Sequence, residues 1–167
     1  MQAERGRVSL KQPTKASIRA FLLVVVVVFL LDRLSKQVVV AFLKLNTSLP
    51  VIIGVFHLTY VRNPGASFGL FPQFRNVYTL LSFLFLAGVV LYILLERPDR
   101  LTQIILGLIA GGTAGNAFDR VVYKAVIDWL DFRFWPIFNL ADVAISCGVA
   151  LLLYKLIASL WLVKKGH

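Results

Sequence analysis

Cysteine, histidine and acidic residues are all scarce in this chain, and each scarcity removes a class of chemistry. The one cysteine, Cys147, lies in an apolar stretch, so no intrachain disulfide and no thiolate metal cage can form. The two histidines, His57 and His167, are far apart and one is terminal. They read as a polar loop residue and a tail residue, and no metal site is expected. Ser35 and Ser67 have no histidine close in sequence, which argues against a serine triad. Only eight residues are acidic, against 18 Lys and Arg, for a net charge of +10.

What is present is apolar bulk. Of 167 residues, 59% are hydrophobic, too many for an ordinary soluble domain, and the length suits one domain. The basic charge alone would suit nucleic acid. Runs of Val, Leu and Ile make topogenic charge and contact with anionic lipid the better reading, so the bilayer and not nucleic acid is the expected partner. Four stretches approach the roughly 20 apolar residues that span a bilayer. They are 18–43, 77–95, 101–121 and 141–163. The first follows a basic tail, residues 1–17, as in a signal peptide, but it is too long and lacks a clear small-residue cleavage site. It is read as a retained helix. With the tail inside, the Glu96-Arg97-Pro98-Asp99-Arg100 turn and the C-terminus are also cytoplasmic. Segments 44–76 and 122–140 then lie outside, although they carry Lys44, Arg62, Arg75, Lys124 and Arg133.

Segment 44–76 contains the β-rich run 51–61, one or two strands long, with Gly54 as a candidate bulge and Asn63-Pro64-Gly65 as a turn. Segment 122–140 reads as a loop rich in aromatics, suited to an interfacial belt or to a lip that guides an amphiphilic substrate. Gly107, Gly111 and Gly115 form a row on the third helix where a neighbour can approach closely.

The topology brings five aspartates to one level: Asp32, Asp119, Asp128, Asp131 and Asp142. Ionisable groups at membrane depth are costly and mark polar sites or pathways. Asp32 and Lys36 are spaced i,i+4 and read as a pair that scaffolds the site. Asp119 and Arg120 read as a charge pair at a helix end, with Asn116 one turn away. Asp128 sits in an apolar run with no basic neighbour, where burial would raise its pKa; Asp131, three residues on, is the alternative acid. Asn139, Asp142 and Ser146 fall on one helical stripe, and Asn139 with Asp142 equally fits a capping box. Two aspartates brought together suit hydrolysis without a cofactor: one accepts a proton from water, the other donates to the peptide carbonyl, and proximity makes them share one proton.

The motifs Asp32-Arg33-Leu34-Ser35-Lys36, Asn63-Pro64-Gly65-Ala66-Ser67-Phe68-Gly69, Gly111 to Arg120, Val126-Ile127-Asp128 and Phe138-Asn139-Leu140-Ala141-Asp142, in this order on four spans, resemble lipoprotein signal peptidase (signal peptidase II). The resemblance implies an all-α membrane protein with four transmembrane helices and a small extracytoplasmic β-rich cradle. It implies an aspartic endopeptidase of the bacterial plasma membrane that cleaves diacylglyceryl-modified prolipoproteins just before the lipidated cysteine. Globomycin-type cyclic peptides would inhibit it. By motif matching, Asp128 and Asp142 would be the catalytic dyad. Asn63, Gly65, Asn116, Arg120 and Asn139 would hold substrate backbone or orient the dyad, and Asp32, Lys36 and Asp119 would be structural polar residues. Two other classes stay in view: a proton- or cation-relaying transport subunit, whose carboxylates would spread through the bilayer depth, and an assembly factor with purely structural ion pairs. A Gly-x-Gly-Asp motif of other intramembrane aspartyl proteases is not found.

Overall fold

The computed structural model describes residues 17–65 and 71–165. The basic tail before Ser17 and the motif residues Ala66 to Gly69, with Ser67, lie outside the described residues. Four long helices follow the four apolar stretches: α1 (Arg19–Phe42), α2 (Arg75–Glu96), α3 (Arg100–Tyr123) and α4 (Leu140–Lys165). Three strands complete the fold: β1 (Ser48–Ile52), β2 (Phe56–Asn63) and β3 (Val126–Asp131).

The helices turn apolar faces outward and bury polar side chains in their interior, beside an apolar cluster of Phe21, Val89, Ile93 and Ala110. Leu22, Leu23, Val26, Leu30 and Leu34 of α1 are exposed, as are Leu80, Leu84 and Leu91 of α2. Fully or nearly fully buried are Asp32, Lys36, Gln103, Asp119 and Asn139. Lipid solvates the Leu and Val faces, and the costly charges turn inward to one another. Among the described residues, three helices are long and apolar enough to cross a membrane: Pro72–Glu96, Arg100–Tyr123 and Leu140–Trp161. At 24 residues, α1 is as long as α3 but carries Asp32, Arg33 and Lys36 in its C-terminal half.

Helix α3 is the central element and packs against the other three. Its glycine row seats α1: a Cβ on Gly107 would lie 2.8 Å from Val24 Cβ, and one on Gly111 2.8 Å from Val28 Cβ. At Gly115 the added carbon would collide with the Asp32 carboxylate. A second seam runs to α4, where a Cβ on Gly112 would strike the Ala141 carbonyl. The helix starts at Asp99, whose Oδ1 accepts the Thr102 N–H at 3.1 Å, and ends at Lys124 in the left-handed region.

The sheet order is β1-β2-β3, antiparallel throughout. Two sequence expectations change here. Gly54 is not a bulge; it sits in the β1–β2 turn with φ +75, which a residue without Cβ accepts freely. Register irregularities lie instead between Pro50 and Ile52, on the edge strand where proline costs no ladder bond, and between Leu58 and Val61 of β2 where it pairs with β3. Segment 122–140 is not simply a loop: Val126–Asp131 forms β3, which pairs Val61 with Asp128 and Asn63 with Val126. Strand β2 supplies a ladder partner, so the run Val126-Ile127 is buried as a central layer over α1 and α3. The sheet caps the end of the bundle at which α1 and α3 finish and α4 begins.

Candidate active site

A cavity of ≈ 590 Å³ opens where the sheet meets α3 and α4. Asn63, Asn116, Arg120, Asp128, Asp142 and Trp135 line it. Asp128 is delivered by β3 and Asp142 by the first turn of α4. Asp128 is only 3% exposed, so its charge is largely cut off from water. Burial first, and the charge of Asp142 second, push its carboxyl up to about 7.

One residue touches both aspartates. Asn139 donates from Nδ2 to Asp128 Oδ1 at 2.6 Å, and its backbone N–H donates to Asp142 Oδ2 at 3.2 Å. Its Oδ1 in turn accepts the Asp142 N–H at 3.0 Å. The reciprocal pair is a capping box at the start of α4. The capping alternative is therefore realised, yet it does not consume Asp142. The other oxygen, Oδ1, accepts from Asn116 Nδ2 at 2.8 Å and faces the cavity. Asp128 Oδ2 accepts from Asn63 Nδ2 at 3.1 Å. The Gly65 N–H holds Asn63 Oδ1 at 3.0 Å, which aims that amide at Asp128. Each carboxylate thus receives two amide donors. Arg120 also faces the cavity, and its buried Nε has no hydrogen-bond partner among the described residues.

Asp131 lies apart from this cavity. An odd step of three along a strand sends it to the opposite face from Asp128. Burial would raise its pKa, but hydrogen bonds from Thr59 Oγ1 (2.7 Å) and from the backbone and side chain of Arg133 more than offset that and hold it below the ordinary value. It is tied into the sheet.

Beneath the cavity is a buried ionic cluster between α1 and α3. Lys36 Nζ lies 2.8 Å from Asp32 Oδ2 and 2.8 Å from Asp119 Oδ2, all three fully buried. Arg33 also pairs with Asp119, and Asp119 Oδ2 accepts the Ile127 N–H at 3.1 Å. The expected Asp119–Arg120 pair is thereby corrected. Consecutive helical residues do not face each other, so Asp119 turns to α1 and Arg120 to the cavity. Asp32 Oδ1 accepts the Ala141 N–H at 3.1 Å, which joins α1 directly to the start of α4.

Sequence reasoning missed Thr113 and Cys147 as lining residues. Thr113 lies three residues before Asn116, so the third helix's polar flank extends one turn deeper. Cys147 lies five residues after Asp142, off the 139–142–146 stripe, and no pattern in the chain marks it. The aromatics divide: Trp135 and Phe138 line the cavity, Phe134 is 82% exposed, and Trp129 packs against Val39, Tyr60 and Ile127. Among the described residues no group of three His, Cys, Asp or Glu side chains could hold a metal ion.

The comparisons agree with one another. The profile of the family described as signal peptidase (SPase) II matches residues 24–158. A lipoprotein signal peptidase from Halothermothrix orenii is 41% identical over 134 residues, covering 80% of this chain and 92% of that protein. The lipoprotein signal peptidase of Moorella thermoacetica is 43% identical over 140 residues, covering 82% and 92%. A bacterial membrane enzyme solved in meso at 2.3 Å resolution superposes with a TM-score of 0.80 at 27% identity, covering 86% of this chain and 91% of that one. A second, at 1.9 Å, gives 0.76 at 28%, covering 85% and 95%. With the family profile spanning most of its length and relatives above 40% identity, this membrane-embedded chain belongs to the signal peptidase II family.

Proposed function

We propose that this protein is an aspartic endopeptidase of the bacterial plasma membrane. It removes the signal peptide from diacylglyceryl-modified prolipoproteins by cleaving before the lipidated cysteine, and Asp128 and Asp142 form its catalytic dyad. The observation that carries the reading is Asn139: it bonds to both carboxylates where they border one cavity.

The pair holds one proton between them, and burial together with the charge of Asp142 raises the Asp128 carboxyl to about 7, so that proton is kept up to near neutral pH. A water molecule between the carboxyls loses a proton to the ionised aspartate as its oxygen attacks the scissile carbonyl carbon. The protonated aspartate donates to the carbonyl oxygen. The tetrahedral species then collapses as the C–N bond breaks: the departing nitrogen takes the proton first drawn from water, and one hydroxyl of the species returns its proton to the aspartate that had donated, so the pair again holds one proton. Asn63, Asn116 and Asn139 hold the two carboxyls in place, and Arg120 reaches substrate carbonyls from the cavity wall. Asp32, Lys36 and Asp119 hold α1, α3 and α4 together beneath.

The substrate is anchored by its acyl chains and arrives within the bilayer plane. Helix α1 serves as a fourth span: its charges are buried against α3 while Leu22, Leu23, Val26 and Leu30 face outward. Both termini are cytoplasmic, and the sheet and cavity lie at the outer interface, where water and substrate meet. Globomycin-type cyclic peptides would occupy the same cavity.

The test is product identification. Purified protein in micelles is given a diacylglyceryl-modified prolipoprotein and its unmodified precursor, and the products are read by mass spectrometry. The expected product begins at the lipidated cysteine and comes from the modified substrate alone. Cleavage elsewhere, equal cleavage of both, or none would overturn the assignment.

A further inference from the structure

We propose that Lys36 is a positioning residue of the reaction, acting on the dyad by fixing which way round the Asn116 side-chain amide is held. The proposal rests on the reading of Asp128 and Asp142 as the dyad. It goes beyond a scaffolding role for Lys36.

Lys36 Nζ is fully buried and makes a third contact besides its two carboxylates: it donates to Asn116 Oδ1 at 3.0 Å. Asn116 Oδ1 also accepts from Asn139 Nδ2 at 3.2 Å. Asn116 Nδ2 then donates to Asp142 Oδ1 at 2.8 Å. An amide has one end that accepts and one that donates. An ammonium only donates and a carboxylate only accepts, so a single orientation satisfies both neighbours. The reverse would set –NH₂ against the ammonium and C=O against the carboxylate. Asn139 is held by the same logic, because its Nδ2 is shared between Asn116 Oδ1 and Asp128 Oδ1 at 2.6 Å.

Lys36 is therefore the charged end of a chain that runs through Asn116 to Asp142 and, through Asn139, to Asp128. The charged groups around Lys36 are Asp32 and Arg33 on its own helix and Asp119 on α3, with Asp128 of β3 and Asp142 of α4 within electrostatic reach. Asp32 and Asp119 neutralise Lys36 and Arg33, so the cluster carries no surplus charge. Holding the Asn116 amide is left to Lys36 as a directional task that a neutral apolar side chain of the same length could not perform.

Removing Lys36 alone would leave Asp32 and Asp119 against Arg33 with a buried negative charge unmatched. The test uses the charge-balanced pair Lys36→Met with Asp32→Asn, assayed on the diacylglyceryl-modified prolipoprotein. The expected result is a kcat lower by roughly 10- to 100-fold, the worth of a charge-assisted hydrogen bond, with KM within about twofold. In an Asn116→Ala background the same pair should lower kcat by no more than about threefold, since the relay is already cut. An unchanged kcat, a rise in KM instead, or the same loss in the Asn116→Ala background would overturn the proposal. If the pair does not fold, Asn116→Ser and Asn116→Asp decide. Ser accepts from Lys36 and donates to Asp142, whereas Asp only accepts. Higher turnover for Ser supports the relay, and equal turnover overturns it. Dead Asp128→Asn and Asp142→Asn variants beside a fully active Lys36→Met/Asp32→Asn protein would sink this inference and leave the dyad intact. Active dyad variants would sink the dyad reading itself.

Discussion

Replacing Asp128 with asparagine should make the protein more stable at alkaline pH even as it abolishes turnover. In the fold the carboxyl is raised from an ordinary 3.8 to about 7, chiefly by burial. A rise of that size corresponds to about 4 kcal/mol of preference for the neutral form. The sign follows from linkage. Below pH 3.8 the group is protonated in both folded and unfolded chains, and stability is unaffected. Between 3.8 and about 7 only the unfolded chain ionises, so stability falls steadily. Above about 7 both ionise and the penalty stays constant. Asparagine never carries that penalty. It has a cost of its own, because Asp128 accepts from two amides, Asn139 Nδ2 and Asn63 Nδ2. An asparagine there has one accepting end, so one donor is left facing –NH₂, at about 1–3 kcal/mol. The net expectation is Asp128→Asn more stable than wild type by about 1–3 kcal/mol at pH 8, with the advantage gone by about pH 4.5. Melting temperatures of both proteins in detergent micelles across that range measure it. A variant that melts below wild type at pH 8, or a difference that does not change with pH, would refute the reasoning.

Three further outcomes follow from the same geometry. The pH profile of kcat/KM should fall above about pH 7 as the dyad loses its shared proton, and Asn63→Ala, which removes a donor to the ionised Asp128, should move that limb up by about one pH unit; an unmoved limb would separate Asn63 from the dyad. Gly115→Ala should cost about 1–3 kcal/mol in a melt, because the new carbon collides with an Asp32 carboxylate pinned by Lys36 and by the Ala141 N–H; a neutral result would mean that α1 and α3 have room to part. Asp99→Ala should lower stability by about 1 kcal/mol at pH 7 through loss of the α3 cap, the exposed bridge to Lys155 being screened by water. The Lys155 and Thr102 side chains hold the Asp99 carboxyl below its ordinary value, so the difference from wild type should shrink as pH falls below 3.8.

What the sequence revealed depended on how local each interaction is. The Asp32–Lys36 pair was legible because i,i+4 neighbours on one helix must meet. The long helices were legible because unbroken Val and Leu runs have no other stable use. Strand β3 was not: six residues carry little pattern, and what makes them a strand is β2, more than sixty residues earlier in the chain. Asp119 was assigned the wrong partner for the same reason, since the groups that hold it, Arg33 and Lys36, come from a helix more than eighty residues away. Asn139 shows a different limit. Its spacing from Asp142 suggested either a cap or a site, and the fold gives it both a cap, through the backbone N–H and Oδ1, and a bond to Asp128 through Nδ2. No periodicity argument separates two roles that share a side chain.

The account stands most directly on turnover of one lipidated prolipoprotein by wild type, Asp128→Asn, Asp142→Asn and Asp131→Asn, each shown to be folded. It predicts no cleavage by the first two variants and substantial cleavage by Asp131→Asn, whose carboxylate is tied to Thr59 and Arg133 away from the cavity. Turnover by either dyad variant, or a dead Asp131→Asn, would contradict it.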